Sequence, residues 1–249
     1  MTVSVIIPCG RMSRFLTDSV ASVLSQKIDV LEILVVCPAD DDNTGRITQG
    51  LIAEGAPLNL LHDPETGPGN ARNVGILAAR GDIIAFLDAD DLWTPDKLSL
   101  QIDRLGAMPE VDAVGGLTVS FDWTADSEGL SAPSNETAGV CLPNPGMLIC
   151  RRSVFDTVGM FEDDLLYAED FDLLMRIRDF DVPFTMLNVP VLYYRQHDNS
   201  MMTANHPRMT SDFRLAAFKS VRRRKKLGKP PATRQLLTGD LEDWPVRVP

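Results

Sequence analysis

The sequence predicts an α/β fold: a mostly parallel central sheet flanked by helices, with a small antiparallel part and a C-terminal helical extension. Short apolar runs alternate with helical patterns in β-α-β-α-β order over roughly the first 105 residues, the signature of a parallel sheet with right-handed crossovers. Two further apolar runs, Phe184–Leu187 and Val191–Arg195, follow a less regular middle and read as closing strands. The chain has 249 residues, 44% hydrophobic and 24% charged, enough to bury one large core and ordinary for a soluble enzyme.

Val3–Ile7 is the first strand. Leu16, Val20, Val23 and Leu24 then fall at i, i+4, i+7 and i+8, one face of a helix. Glu32–Val36 is the second strand, followed by an Asp-rich loop and a helix around Ile47, Leu51 and Ile52; Leu58–Leu61 is the third. Gly67-Pro68-Gly69 makes a turn, and Asn70–Arg80 forms a helix that stops at Gly81. After the fourth strand, Ile83–Leu87, Thr94-Pro95 reads as an N-cap with proline at the first helical position. Leu98, Ile102 and Leu105 form that helix's buried stripe. Asp112–Phe121 and Gly146–Cys150 are strands flanking a polar loop, Asp122–Pro145, of a length typical of lids and binding loops. Val154–Gly159 is a short helix, and Glu169–Arg178 a longer one with Leu173, Leu174 and Ile177 inward. Residues 1–207 read as one domain and 208–249 as a basic helical extension.

No apolar run reaches the ~20 residues needed to span a bilayer, and Met1–Pro8 lacks the basic start of a signal peptide. Cys9, Cys37, Cys141 and Cys150 lack metal-ligand spacing and read as reduced core thiols, which places the chain in the cytoplasm. Net charge is -11, but residues 208–249 carry 11 basic and 4 acidic side chains. The acidic body excludes a nucleic-acid binder. Arg222–Lys226 is either a solvated helix end or a contact for anionic lipid headgroups, at the inner face of a membrane, or for an acidic patch on a second subunit, a homodimer partner included.

Asp88-Ala89-Asp90 ends the fourth strand, where ligand crevices of such sheets lie. Carboxylates two apart there suit a divalent cation and the diphosphate it bridges; the plain alternative is a surface turn. Arg72 and Asn73 stand in the first turns of a helix after a glycine turn, where N–H groups and a guanidinium meet anions. Glu169-Asp170 opens the later helix, and a carboxylate near a helix N-terminus stays ionised and can act as a general base. His197, after Tyr193-Tyr194-Arg195-Gln196, is either a surface residue or a ligand beside carboxylates. Trp93 is core filler or a platform for a sugar face.

Six segments in order carry a family resemblance: Val3-Ser4-Val5-Ile6-Ile7-Pro8, Glu32–Val36, Gly69-Asn70-Ala71-Arg72-Asn73-Val74-Gly75, Phe86-Leu87-Asp88-Ala89-Asp90-Asp91, Ala168-Glu169-Asp170-Phe171-Asp172-Leu173 and Tyr194-Arg195-Gln196-His197. Over residues 2 to about 200 the chain resembles family 2 glycosyltransferases, which implies the Rossmann-like GT-A fold and an inverting hexosyl transferase. The donor so implied is a nucleotide-diphosphate sugar, commonly a UDP-sugar, used with Mn²⁺ or Mg²⁺. On that resemblance Asp90 ligates the metal, Asp88 contacts the nucleoside beside the metal, and Arg72, Asn73 and Pro8 line the nucleotide pocket. Asp170 is the base for the acceptor hydroxyl, Glu169 positions a sugar, and His197 assists the metal or the diphosphate. The acceptor, whether a sugar, a lipid-linked or a peptide hydroxyl, is not legible. The family's base-reading Asp after the second strand is absent: that place reads Val36-Cys37-Pro38-Ala39, with acids later at Asp40, Asp41 and Asp42. A nucleotidyltransferase is an alternative, but Pro8-Cys9-Gly10-Arg11 is a poor version of its glycine-rich basic loop; a non-catalytic nucleotide-sugar-binding relative is the other.

Overall fold

A computed structural model of the chain describes residues 1–10, 13–63, 67–122, 144–197 and 207–230. Most of the Asp122–Pro145 loop, Cys141 and the tail beyond residue 230 lie outside the described residues. An eight-stranded sheet organises the rest. At its centre β1 (Val3–Pro8) is buried along its whole length, as a strand covered on both faces must be. It pairs in parallel with β2 (Glu32–Pro38) on one side and β4 (Ile83–Phe86) on the other, and β2 pairs in parallel with β3 (Leu58–Asp63). The helices α1 (Leu16–Leu24), α2 (Asp42–Ala53) and α3 (Pro68–Ala78) make the crossovers. Beyond β4 come β7 (Ile149–Arg151), antiparallel to it, then β6 (Ala113–Asp122), then β8 (Phe184–Gln196), and at the edge β5 (Leu92–Trp93). The spatial order is β3-β2-β1-β4-β7-β6-β8-β5. The carboxyl ends of β1, β2, β3 and β4 point to one edge, and the candidate site gathers there.

Several expectations are corrected. Phe184–Leu187 and Val191–Arg195 are one strand, parallel to β6, with register shifts around Gly115–Thr118 that absorb the exposed Asn188-Val189-Pro190. Gly146–Cys150 is a 3-10 turn, Pro145–Met147, followed by the short β7. Trp93 is core: it is buried, and its Nε1 donates to Phe86 O at 3.2 Å. Thr94 does not cap α4 (Lys97–Ala107); its hydroxyl donates to Pro190 O instead, because β8 lies closer than the helix start. The helix expected over Asn70–Arg80 starts earlier, at Pro68, and ends at Ala78, before Gly81. The contact of α3 with β1 is so close that a Cβ on Gly75 would sit 2.4 Å from Ile6 Cγ2. Cys9, Cys37 and Cys150 are buried thiols. Burial first, then the Asp41 charge, pushes Cys37 up to about 11; burial and Asp112 push Cys150 to about 12. No helix among the described residues is long and apolar enough to cross a membrane.

The last helices are α5 (Val154–Val158), α6 (Glu169–Asp179) and α7 (Pro207–Lys226). α6 carries its apolar residues Leu173, Leu174 and Ile177 into the main core. Its opposite side meets α7 through a second core of Leu165, Ala168, Phe171, Met175 and Ala216.

Candidate active site

Two polar clusters stand side by side where β4 ends. The first is centred on Arg72, 3% exposed, at the start of α3. Its Nη2 donates to Asp88 Oδ1 at 2.6 Å and its Nη1 to Glu169 Oε1 at 2.7 Å. One guanidinium thus ties the end of β4 to the start of α6. Arg72 Nε is buried and has no hydrogen-bond partner among the described residues. Asp88 keeps 28% of its side chain exposed and so stays open to solvent. Asp170, next to Glu169, is partly buried and accepts from the Phe171 N–H at 2.6 Å.

The expected ionised Asp170 is not what this surrounding favours. Burial first, then the Glu169 charge, pushes its carboxyl well above the usual range, against the opposing pull of Arg72 and the Phe171 N–H. Desolvation and a neighbouring acid outweigh the helix end. Glu169 itself is pushed up by burial and drawn back by Arg72. Its carboxylate is buried and taken by Arg72.

The second cluster contains Asp90, Asp91, Arg195 and His197. His197 Nε2 lies 3.0 Å from Asp90 Oδ2, and Arg14 Nη2 lies 3.2 Å from His197 Nδ1. A guanidinium can only donate, so Nδ1 accepts and a neutral imidazole carries its proton on Nε2, toward Asp90. Burial, and then the Asp88 charge, raise the Asp90 carboxyl. Asp91 is fully buried and points inward, accepting from the Arg195 main-chain N–H at 2.9 Å, and Asn144 Nδ2 lies 3.5 Å away. Arg195 Nε donates to Asp90 O at 2.7 Å, while Ser19 Oγ reaches Ala89 O and Asp91 O at 2.7 and 2.8 Å. The acidic turn is therefore held from both α1 and β8. Phe15 lies under this group, with the Arg195 and Arg14 guanidinium carbons each 4.3 Å from its ring centre.

The sequence-predicted residues divide accordingly. Arg72, Asp88, Glu169 and Asp170 come together, and Asp90 pairs with His197. Asn73 does not face the cleft: its amide donates to Phe161 O at 2.9 Å and accepts from Phe161 N at 2.8 Å, a backbone clamp. Pro8 is buried at the end of β1, beside Val36. Asp41 caps α2 through Thr44 N and Oγ1, so it is not displaced into base reading. The sheet instead brings Asp63, buried at the end of β3, alongside Pro38. Asp91 and Arg195 stand in the quoted segments without a role of their own, and Asp63, Asn144 and Arg14 carried no signal in the sequence.

Residues 4–159 match the family model described as Glycosyl transferase family 2. The chain belongs to that family. An uncharacterized glycosyltransferase of Nostoc sp. is 33% identical over 172 residues, 64% of this chain and 53% of its own length. The uncharacterized glycosyltransferase EpsJ of Bacillus subtilis is 26% identical over 219 residues, 80% of this chain and 62% of its own length. This family 2 chain thus spans little more than half the length of those relatives. Among solved structures, the mannosyltransferase PcManGT from Pyrobaculum calidifontis, in complex with GDP-Man and Mn²⁺, aligns with a TM-score of 0.69 at 19% identity over 88% of this chain and 64% of its own. S. aureus TarS 1–349 in complex with UDP-GlcNAc gives 0.66 at 22% identity over 88% of this chain and 66% of its own. These likenesses establish the GT-A fold.

Among the described residues no three His, Cys, Asp or Glu side chains are grouped to hold one ion. Asp88 turns toward Arg72, which removes it from a three-ligand set with Asp90 and His197. Asp90 fits, since Mg²⁺-like ions take one or two carboxylates and complete their shell with substrate phosphates. His197 fits once the exposed Arg14 leaves Nδ1 and the ring proton moves there.

Proposed function

We propose that this chain is an inverting glycosyltransferase that moves a hexosyl group from a nucleotide-diphosphate donor, a UDP-sugar, to an acceptor hydroxyl in a single, metal-dependent displacement. The observation that carries it is Arg72: a buried guanidinium that joins Asp88 to the α6 start, with an Nε–H that has no partner among the described residues. A phosphate or ribose oxygen of the donor is the acceptor that N–H lacks. TarS binds UDP-GlcNAc and PcManGT binds GDP-Man with Mn²⁺, which supports the donor class and the metal.

Asp90, with His197, would hold the metal, which supplies charge neutralisation for the departing diphosphate. The chain's own residues do the rest. Asp88 contacts the nucleoside and stays fixed by Arg72. Asp170, deprotonated, takes the proton of the acceptor oxygen as that oxygen attacks the anomeric carbon from the face opposite the diphosphate. One base suffices for inversion. Burial and the Glu169 charge raise the Asp170 carboxyl, which makes it a stronger base than an ordinary carboxylate.

The test pairs binding with turnover. UDP and GDP sugars are screened by thermal shift with Mn²⁺ and with chelator, where ~100-fold saturation stabilises by about 2.7 kcal/mol. Metal-independent stabilisation of wild-type protein would remove the metal role. Asp170→Asn should keep the donor shift and lose transfer; retained turnover removes Asp170 as base.

A further inference from the structure

α7 reads in the sequence as a basic appendage, but the structure ties it to the one segment that sets the position of Glu169 and Asp170. Leu166 N and Tyr167 N both donate to Asp212 Oδ2, at 2.9 and 3.3 Å. Asp212 lies on α7, 45 and 46 residues away in sequence, and is 4% exposed. Ala168 occupies the N-cap place of α6 and makes no side-chain bond there, and of the first-turn N–H groups Asp170 meets that of Phe171. A helix that opens on Ala is weakly fixed at its first turn, since Ser, Thr, Asp or Asn normally satisfies its N–H groups. Here an acid from another helix holds the chain just before that turn instead.

The surroundings make this anchorage stiff. Leu165, Ala168 and Phe171 alternate between the lead-in and α6 and pack on Ala216, with the Phe171 and Phe213 rings 5.4 Å apart. Lys219 pairs with Glu162 at 2.8 Å and Asp164 at 2.6 Å, and Arg208 Nη2 donates to Asp164 O at 3.0 Å. Arg208 Nε also meets Asp212 Oδ2 at 3.3 Å, so the acid is charge-balanced. On the far side, Glu169 passes the position on to Arg72 and so to Asp88. Any shift of residues 166–168 moves the base and the donor contact together.

We propose that Asp212 is a positioning residue of the reaction centre, holding the Leu166–Tyr167 backbone so that Asp170 stands at the acceptor oxygen. The inference rests on the reading of Asp170 as the base. It places α7 inside the catalytic unit and moves the functional boundary of the domain past residue 207.

Three variants test it. Asp212→Asn keeps an acceptor oxygen at the same place; kcat should stay within about threefold of wild type. Asp212→Glu keeps the charge but adds a methylene that pushes residues 166–168 outward; because a displacement of about 1 Å can cost up to 10²-fold, kcat should fall at least tenfold. Asp212→Ala should fall at least as far. In all three the Kd for UDP with Mn²⁺ should change by less than kcat does. Hydrogen exchange over residues 165–171 should accelerate about tenfold in the Glu and Ala variants and not in Asn, a readout that needs no turnover. Wild-type kcat in Asp212→Glu, unchanged exchange in both, or an Asn variant as impaired as Ala overturns the proposal. A wild-type protein that transfers no sugar while the exchange pattern holds sinks the base assignment instead and leaves Asp212 as the anchor of that segment.

Discussion

Removing the Arg72 guanidinium while keeping its length, as in Arg72→Met, isolates what the bridge contributes. Its two partners differ: the Glu169 side chain is 6% exposed and Asp88 28%. Without Arg72, Asp88 turns toward water, whereas Glu169 is left as a buried carboxylate with no counter-charge. Breaking a buried pair costs about 3–5 kcal/mol, and with one buried arm the low end, ~3 kcal/mol, applies. At roughly 2–4 °C per kcal/mol for a chain of this size, Tm should fall by about 6–12 °C at neutral pH. The loss has a pH signature. Burial already raises Glu169 and Arg72 opposes it, so in the variant its folded-state midpoint moves further up. A carboxyl raised on folding stabilises below its unfolded midpoint, ~4.3, and that stability is lost as pH climbs through the folded one. The gap between variant and wild type should therefore narrow toward pH 5. Adding Glu169→Gln to Arg72→Met removes the stranded charge and should recover more than half of the lost Tm. Thermal denaturation of wild type, Arg72→Met and the double variant at pH 5 and 7.5 measures all of this. A gap independent of pH, or no recovery in the double variant, would refute a buried, charge-compensating bridge.

Transfer should also rise with pH, because Asp170 must be deprotonated and both burial and Glu169 raise its carboxyl; Glu169→Gln should move the midpoint of the kcat profile to lower pH, and a midpoint that stays or rises argues against that coupling. Lys97 is fully buried, with Nζ donating to Gln101 Oε1 at 2.8 Å over the Trp93 ring, and burial drives its ammonium well below the ordinary value. The unfolded chain then binds more protons at this site, so wild-type stability should climb from pH 7 to about 8.5, before the unfolded thiols ionise; Lys97→Met should flatten that climb in urea titrations, and an unchanged slope would show that Lys97 is not its source.

The parallel half of the sheet was legible because strands buried on both faces read as unbroken apolar runs, as in Val3-Ser4-Val5-Ile6-Ile7 and Ile83-Ile84-Ala85-Phe86. β5 was not, being two residues long and defined only by its pairing with Tyr193 and Leu192. β8 was split in two because its exposed middle looks like a loop until β6 lies beside it. For the site, residue types were legible and partners were not. Arg72, Asp88 and Glu169 each carry a local signal, but that one guanidinium joins all three depends on contacts 16 and 97 residues apart. Asn73 misled for the same reason: an Asn beside a phosphate-suited helix start looks available until Phe161 is placed against it. What raises the Asp170 carboxyl was not legible either, because the helix end is visible in sequence and the depth of burial is not.

Arg222–Lys226 shows the same limit in charge, and it can be tested inside one run of five residues. Asp172 and Asp179 lie fully buried on α6, and neither shows in a reading that follows only that helix's apolar face. Arg223 bonds Asp172 at 3.1 Å and Asp179 at 3.2 Å; Arg224 lies 3.5 Å from Asp179, which Arg178 also meets at 2.9 Å. Arg222, Lys225 and Lys226 point to water. Two of the five cations are therefore internal counter-charges, and only three remain for any anionic surface. Arg223→Gln withdraws a charged partner from two buried carboxylates that retain others, so the loss should be that of a charged hydrogen bond, about 2 kcal/mol, or roughly 4–8 °C in Tm. The triple change Arg222→Gln, Lys225→Gln, Lys226→Gln removes more charge and should leave Tm within about 1 °C, since exposed charges contribute little. Equal losses in the two proteins would mean that net charge, and not the α6–α7 pairing, sets the stability of this helix.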